Sequence, residues 1–240
     1  MDIKKSTFCA HRGASGNFPE NTMCAFNAAL ALGAAWIETD LNLSSDEKLV
    51  IFHDANLGRT TSGSGALSTL TLNEIQSLDA GSWKDEAFSN EKVLSFQELL
   101  NWQDTYEVNI NYELKCDTAN PNKVVTILSK ELRNRDPKKI IISSFSEKLL
   151  IESIKVIPSY RHALISERLP ENWKNKSREL NLNAWHLNAD YLNLNQVRAL
   201  HRERLKVRVY TVNNKTKYKK MNEWGVDMIM SDYPEKFLDF

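Results

Sequence analysis

The sequence lacks several features, and each absence removes a class of function. Its three cysteines, Cys9, Cys24 and Cys116, are odd in number and have no paired spacing. They form neither a disulfide framework nor a cysteine zinc site. Cys9 and Cys24 fall in segments expected to be buried, where a free thiol behaves as a small hydrophobe. A reducing compartment is the simple inference. Net charge is also missing: 31 basic side chains balance 31 acidic ones, so nothing in the total attracts nucleic acid or an anionic membrane. Local basic clusters such as Lys215 to Lys220 read as solvated helix faces. No apolar run reaches the roughly 18 residues that a membrane span needs. The opening residues Met1 to Ser6 enter the first strand directly, which leaves no room for a signal peptide. These absences predict a soluble, cytoplasmic protein with no nucleic-acid partner and no stable membrane association.

What remains is ordinary globular material, 42% hydrophobic and 26% charged in 240 residues, a length that single α/β barrels commonly occupy. Phe8-Cys9-Ala10 is a short apolar run ending at His11-Arg12, with Gly13 to break it. Asn21 can cap a helix running to about Leu32, closed by Gly33. Trp36 to Leu41 alternates, so Glu38 and Asp40 share the face opposite Ile37, Thr39 and Leu41. Leu49 to Phe52 is a continuous apolar run that suits a parallel sheet covered on both sides, and it ends at His53-Asp54. A strand over Val108 to Lys115 puts Asn109, Asn111, Glu113 and Lys115 on one face. Helices and strands alternate from there to Met230, with a poorly marked stretch around Leu169 to Leu180.

This pattern predicts an α/β fold with a parallel sheet, and so many repeats favour a closed (β/α)8 TIM barrel over a doubly wound sheet. Residues 55–93 break the pattern with the turn-rich Arg59 to Gly65 and the isolated aromatics Trp83 and Phe88. They read as an insertion after the third strand, over the mouth of a single domain spanning residues 1–240. Nine candidate strands compete for eight places. The link Ser44 to Lys48 is also too short for a helical crossover, which takes roughly a dozen residues. Either one barrel helix is missing or one run is not a barrel strand.

The polar residues fall at successive strand ends: His11 and Arg12, then Glu38 and Asp40, then His53 and Asp54, then Glu113 and Lys115. In a barrel these ends share one rim, where active sites are built. Converging carboxylates raise each other's pKa and call for a cation, and oxygen donors without cysteine suit magnesium or calcium. Two histidines beside that cation offer a general base and a general acid. Arg12 and Lys115 supply positive charge for an anionic substrate, the arginine being suited to bidentate phosphate contact. Together these residues describe metal-assisted chemistry at a phosphate ester. His162 and His201 read as structural or exposed; His186 ends a strand and can reach the rim, and Phe145 and Trp83 can border a pocket.

The sequence resembles the glycerophosphodiester phosphodiesterase family over nearly its whole length. The resemblance rests on His11-Arg12-Gly13, Glu20-Asn21-Thr22, Glu38-x-Asp40, His53-Asp54, Arg59-Thr60-Thr61 with Gly63 and Gly65, and Glu113-x-Lys115. It continues in Ser144-Phe145, Thr211-Val212-Asn213 and Ser231-Asp232-Tyr233-Pro234. It implies a distorted β/α barrel with an insertion after the third strand. It also implies Glu38, Asp40 and Glu113 as ligands of one Mg2+ or Ca2+ ion, His11 and His53 as catalytic base and acid, and Arg12 and Lys115 as phosphate contacts. The implied substrate is a small glycerophosphodiester, cleaved to glycerol 3-phosphate and an alcohol. The attacking group is either the neighbouring glycerol hydroxyl, through a cyclic phosphate, or water. Tyr210, Ser231 and Leu94 depart from the family's usual tryptophan, threonine and proline, and the match is poor around Leu169 to His186. These departures bear on the leaving group rather than on the charged set. Alternatives on the same fold are a lysophospholipase D, a phosphoinositide-type phosphodiesterase or a non-catalytic phosphate-binding barrel.

Overall fold

Alternation along the strands decides which side chains the barrel turns inward. In the computed structural model, which describes residues 6–116 and 120–237, strand β2 (Trp36–Leu43) is buried along nearly its whole length. Ile37 and Leu41 join an outer apolar layer with Phe26, Leu99 and Val124 of the surrounding helices. Trp36 instead packs inside the ring, against Cys9, Ile141, Met228 and Met230. Glu38 and Asp40 take the inward positions that follow Trp36 at the strand's period of two. The reading of residues 1–5 as a direct lead into the first strand lies outside the described residues.

The remaining strands are β1 (Thr7–His11), β3 (Leu49–Ile51), β4 (Asn109–Leu114), β5 (Ile140–Ser144), β6 (Arg161–Ser166), β7 (Ala184–Asn188), β8 (Lys206–Tyr210) and β9 (Met228–Ser231). Eight of them run parallel in the order β1-β9-β8-β7-β6-β5-β4-β2, and β1 pairs with β2 to close the ring. Around it lie α1 (Met23–Ala31), α3 (Phe96–Tyr106), α4 (Pro121–Glu131), α5 (Glu147–Val156), α6 (Trp173–Glu179), α7 (Leu194–Arg202) and α8 (Lys215–Glu223). The architecture is the expected (β/α)8 barrel. No helix among the described residues is long and apolar enough to cross a membrane.

The surplus strand is β3. It lies antiparallel to the end of β2, with Leu41 opposite Ile51 and Leu43 opposite Leu49, so it is not the parallel barrel strand that its apolar run suggested. The Ser44 to Lys48 link is therefore a hairpin turn, closed by the Ser44 N–H on the Lys48 carbonyl at 3.0 Å. The crossover from β2 to β4 is made by α3, whose start is fixed by a capping box between Ser95 and Glu98.

Between β3 and α3, the chain forms short 3-10 turns, the helix α2 (Leu72–Ser77) and an apolar cluster of Val50, Phe52, Leu57, Leu67, Ile75, Ala80 and Val93. Lys84 Nζ ties this segment to the loop after β1, donating to the Ser15 and Gly16 carbonyls at 3.0 and 2.9 Å. That loop also corrects one expectation. Thr22, not Asn21, caps α1, accepting from the Ala25 N–H. Asn21 sits in the left-handed region at φ 59° and sends its side chain into the barrel mouth.

Gly13 makes the same loop possible. Its φ is +81°, and a Cβ there would lie 2.7 Å from the Ala25 carbonyl carbon. At Gly33, with φ +74°, a Cβ would meet nothing within 4 Å. Gly33→Ala is therefore expected to cost only the backbone strain, about 1 kcal/mol in urea unfolding. Gly13→Ala carries that strain and a backbone clash, and should cost clearly more; equal effects at the two positions would refute the packing argument.

Candidate active site

Two register relations assemble the polar groups. His11 at the end of β1 stands opposite Glu38 of β2, and Asp40 of β2 stands opposite Glu113 of β4. Residues in register on parallel strands share a face. Glu38, Asp40 and Glu113, all buried, accordingly bring carboxylate oxygens within 4.8 Å of one another.

Two cations face the three carboxylates. Lys115 Nζ lies 2.5 Å from Glu113 and 3.7 Å from Asp40. Arg12 Nε lies 3.3 Å from Asp40, while its NH1 donates to Glu20 at 2.7 Å and its backbone N–H to Glu38 Oε2 at 3.1 Å. Burial, with Asp40 and Glu113 nearby, raises Glu38 well above the usual carboxylate range. Burial and Asp40 likewise push Glu113 up to about 7. Burial also pushes on Asp40, but Arg12, Lys115, His53 and the Asn21 amide outweigh it and hold this carboxyl low. The cluster is short of positive charge by itself. Glu38 Oε1, Asp40 Oδ1 and the Asn111 Oδ1 beside them have no hydrogen-bond partner. A compact set of hard oxygen donors with unused lone pairs fits a divalent cation of the magnesium or calcium type.

Each flanking histidine is held by an aspartate. His11 Nδ1 contacts Asp232 Oδ1 at 2.6 Å, and His53 Nδ1 contacts Asp54 Oδ1 at 2.5 Å. Burial opposes ionisation of Asp232, but hydrogen bonds from His11, Asn213 and Ser15 bring it down to about 2. Asp54 falls to about 2 mainly through its hydrogen bond from Arg59. Ionised carboxylates only accept, so Nδ1 of each ring carries the proton and Nε2 is left for chemistry. Nε2 of His11 lies 3.8 Å from Glu38. Burial lowers His53 below its ordinary value, and Arg12 and Lys115 add to the shift while Asp40 resists it.

These groups border a cavity of about 240 Å³. One wall is polar, with His11, Arg12, His53 and Lys115; the other is formed by Phe145, Ile165, Tyr210 and Met230. Phe145 meets Tyr210 edge-on at 6.0 Å, and Lys115 Nζ lies 5.4 Å from the Phe145 ring centre. All seven residues singled out in the sequence thus come together, six of them lining the cavity and Asp40 joining them through the carboxylate cluster, and Phe145 and His186 also line it. Trp83 does not line it; its indole donates to the Ala80 carbonyl at 2.9 Å. His162 is buried against Ser153, and His201 pairs with Asp227.

From the sequence alone Asp54, Asp232 and Arg59 carry no role at the site, and Asn21 reads only as a helix cap. Asp54 follows its histidine directly. Asp232 follows the end of β9, and ring closure sets β9 beside β1, with Ala10 opposite Ser231. Asn21 donates to Asp40 Oδ2 at 2.9 Å and accepts from the Thr39 hydroxyl at 2.8 Å. Arg59 forks onto both Asp54 and Glu20 from the segment that follows β3.

The sequence profile of the Glycerophosphoryl diester phosphodiesterase family matches residues 11–236, which include every group described above. The chain belongs to this family. Within the family, it is 33% identical to a glycerophosphodiester phosphodiesterase of Bacillus subtilis (strain 168), over 95% of this chain and 84% of the relative. It is also 33% identical to one from Caldanaerobacter subterraneus subsp. tengcongensis, over 98% of this chain and 97% of that protein. Among solved structures, an Oleispira antarctica phosphodiesterase in complex with the product sn-glycerol-3-phosphate superposes with a TM-score of 0.94 at 30% identity, covering 98% of this chain and 96% of that one. The family likeness thus extends through the whole barrel and marks the chain as an enzyme.

The charges around His53 set the direction of its titration. In chelator-treated protein, its imidazole should titrate below pH 6.5 by NMR, since burial disfavours the cation. Lys115→Met removes a repelling charge and should move the midpoint up; Asp40→Asn removes an attracting one and should move it down. Shifts in the opposite sense would refute this electrostatic account.

Proposed function

We propose that the protein hydrolyses glycerophosphodiesters to glycerol 3-phosphate and an alcohol, using one divalent cation, magnesium or calcium, held by Glu38, Asp40 and Glu113. The observation that carries this reading is the convergence of three buried carboxylates, with unpartnered oxygens, between two aspartate-held histidines. Bound there, the cation supplies Lewis-acid polarisation of a phosphoryl oxygen. Arg12 and Lys115 hold the phosphate. His11 acts as base: its Nε2 lies deep beside Glu38 and takes the proton of the attacking hydroxyl, from the neighbouring glycerol carbon or from water. His53, whose side chain is 28% exposed against 15% for His11, acts as acid and protonates the alcohol that leaves toward solvent. Asp232 and Asp54 are positioning residues that keep both reacting nitrogens at Nε2.

The cavity suits a small diester. A lysolipid tail would call for a broad apolar rim, and of the exposed large apolar side chains among the described residues, Phe145 is the one that lines the cavity. The free thiols of Cys9 and Cys24 accord with a reducing, cytoplasmic setting, which we include in the proposal.

Release of glycerol 3-phosphate from glycerophosphocholine should require added Mg2+ or Ca2+ and stop with chelator. Full activity in Glu38→Ala/Asp40→Ala would defeat the proposal. Glu113 must lose its proton to serve as a ligand, and burial and Asp40 hold it at about 7. Cation affinity by calorimetry should therefore weaken as pH falls through neutrality, with protons released on binding; pH-independent binding without proton release would place the cation elsewhere. Asp232→Asn should lower kcat about 100-fold or more while the protein stays folded, as expected when an imidazole loses its tautomer control. An unchanged kcat would remove Asp232 from the mechanism.

A further inference from the structure

We propose that the opposite end of the barrel carries a second site, which binds a small phosphate-bearing anion. The starts of β2, β6, β8 and β9 bring Trp36, Arg161, Lys206, Arg208 and Met228 around a cavity of about 450 Å³. Arg204 and Asp227 complete its charged lining. Parallel strands begin at one end of a barrel and finish at the other, so this cavity faces away from the rim that holds His11 and Lys115. The apolar layer of Cys9, Ile141, Met228 and Met230 lies between them.

The charge at this end does not balance. Asp227 is the one carboxylate in the lining, and it is already engaged: it accepts from Lys206 Nζ at 2.7 Å, contacts His201 Nε2 at 2.9 Å and accepts from the Val207 N–H at 2.9 Å. Arg161, Arg204 and Arg208 form no ion pair among the described residues. Arg208 is only 5% exposed, a degree of burial that charged side chains rarely show without a partner. Among the described residues its one side-chain hydrogen bond runs from NH1 to His186 Nε2 at 3.0 Å. His186 is itself buried, and that burial, with Arg208 beside it, drives its imidazole well below the ordinary value. A neutral ring accepts one donor and offsets no charge. A guanidinium has five N–H donors in a fixed fork, so Arg208 keeps donors to spare beside the cavity.

Arg161 makes no side-chain hydrogen bond among the described residues. Its guanidinium lies 5.2 Å from the Trp36 ring centre, a stacking contact that holds it in place without neutralising it. Burial pulls Arg208 down to about 10, with the repulsion of Arg161 adding to the effect and the attraction of Asp227 opposing it; burial lowers Arg161 as well, against the attraction of Asp136. Two guanidiniums, one of them deeply buried, thus border a roomy cavity whose single carboxylate is already engaged elsewhere. Planar N–H forks match the oxygens of phosphate bidentately, which makes a phosphate group the fitting occupant. The volume admits inorganic phosphate or a phosphate monoester with a small organic part. Arg208 also hydrogen-bonds His186, which lines the catalytic cavity, so the cleaner probes of the lower site are Arg161 and Arg204.

The test is calorimetry on chelator-treated full-length protein, titrated with inorganic phosphate and with glycerol 3-phosphate, and it needs no turnover. Binding should persist in Lys115→Met, which alters the catalytic rim. It should weaken about tenfold or more, equivalent to about 1.4 kcal/mol, in folded Arg161→Ala/Arg204→Ala. Amide exchange should slow at residues 206–208 when phosphate is added, and Arg208→Met should abolish that protection. Tighter binding of glycerol 3-phosphate would name a monoester as the ligand, and equal binding would name free phosphate; both keep the site. The proposal is overturned if neither anion binds, if Lys115→Met abolishes all binding, or if Arg161→Ala/Arg204→Ala binds as the parent does.

Discussion

Three buried carboxylates crowded at one end of the barrel dictate much of what surrounds them. Mutual repulsion in a low dielectric is severe, and Arg12 and Lys115 relieve it only in part. Burial together with this repulsion raises the Glu38 and Glu113 carboxyls, and the residual demand for positive charge shows in the unpartnered oxygens. Even the backbone bends to this demand. Arg12 and Asn21 both occupy the left-handed region, and each uses that geometry to aim donors at β2. A fold optimised for stability alone would replace such a cluster with apolar side chains. Its presence accords with a site built to take up a cation.

The aspartates behind the histidines extend the same logic outward. Asp54 is held by Arg59, which also grips Glu20, and Glu20 in turn holds Arg12. The segment between β3 and α3 is thereby wired to the loop after β1 by charge as well as by the Lys84 contacts. Displacing Arg59 would loosen the carboxylate that orients His53 and the one that steadies Arg12 together.

How much of this was readable beforehand depended on the range of the interaction. The period of two in Trp36 to Leu41 correctly placed Glu38 and Asp40 on one face, because strand geometry is local. The seven polar side chains could be singled out because the sequence puts them at or beside strand ends; His53 reaches the same cavity even though β3 is an antiparallel hairpin strand and not part of the ring. The antiparallel place of β3 was not readable, since Leu49 to Ile51 is apolar on both faces in either setting. The short link after Leu43 is the clue, but by itself it fits a missing helix as well as a hairpin. Helix α6 was unmarked for a similar reason: Trp173 to Glu179 is mostly polar, with Ser177 as its buried residue, so it carries no apolar stripe. Asp232 belongs to the Ser231 to Pro234 motif, but its place beside His11 depends on pairing β9 with β1, a contact between elements far apart in the sequence. Thr22 replaced Asn21 as the helix cap because the Asn21 side chain was committed to Asp40 and Thr39.

The barrel's circumference is divided in a way that bears on divergence. The carboxylates, Lys115 and Arg12 come from β1, β2, β4 and their flanks, an unbroken arc of neighbouring strands. The far wall of the same cavity, Ile165, His186, Tyr210 and Met230, comes from β6 to β9. Substitutions on that second arc can reshape the cavity without touching the charge balance of the first. Such a protein can exchange one small alcohol for another over generations while its electrostatic machinery stays under separate selection, much as a lock can be re-keyed without replacing the bolt.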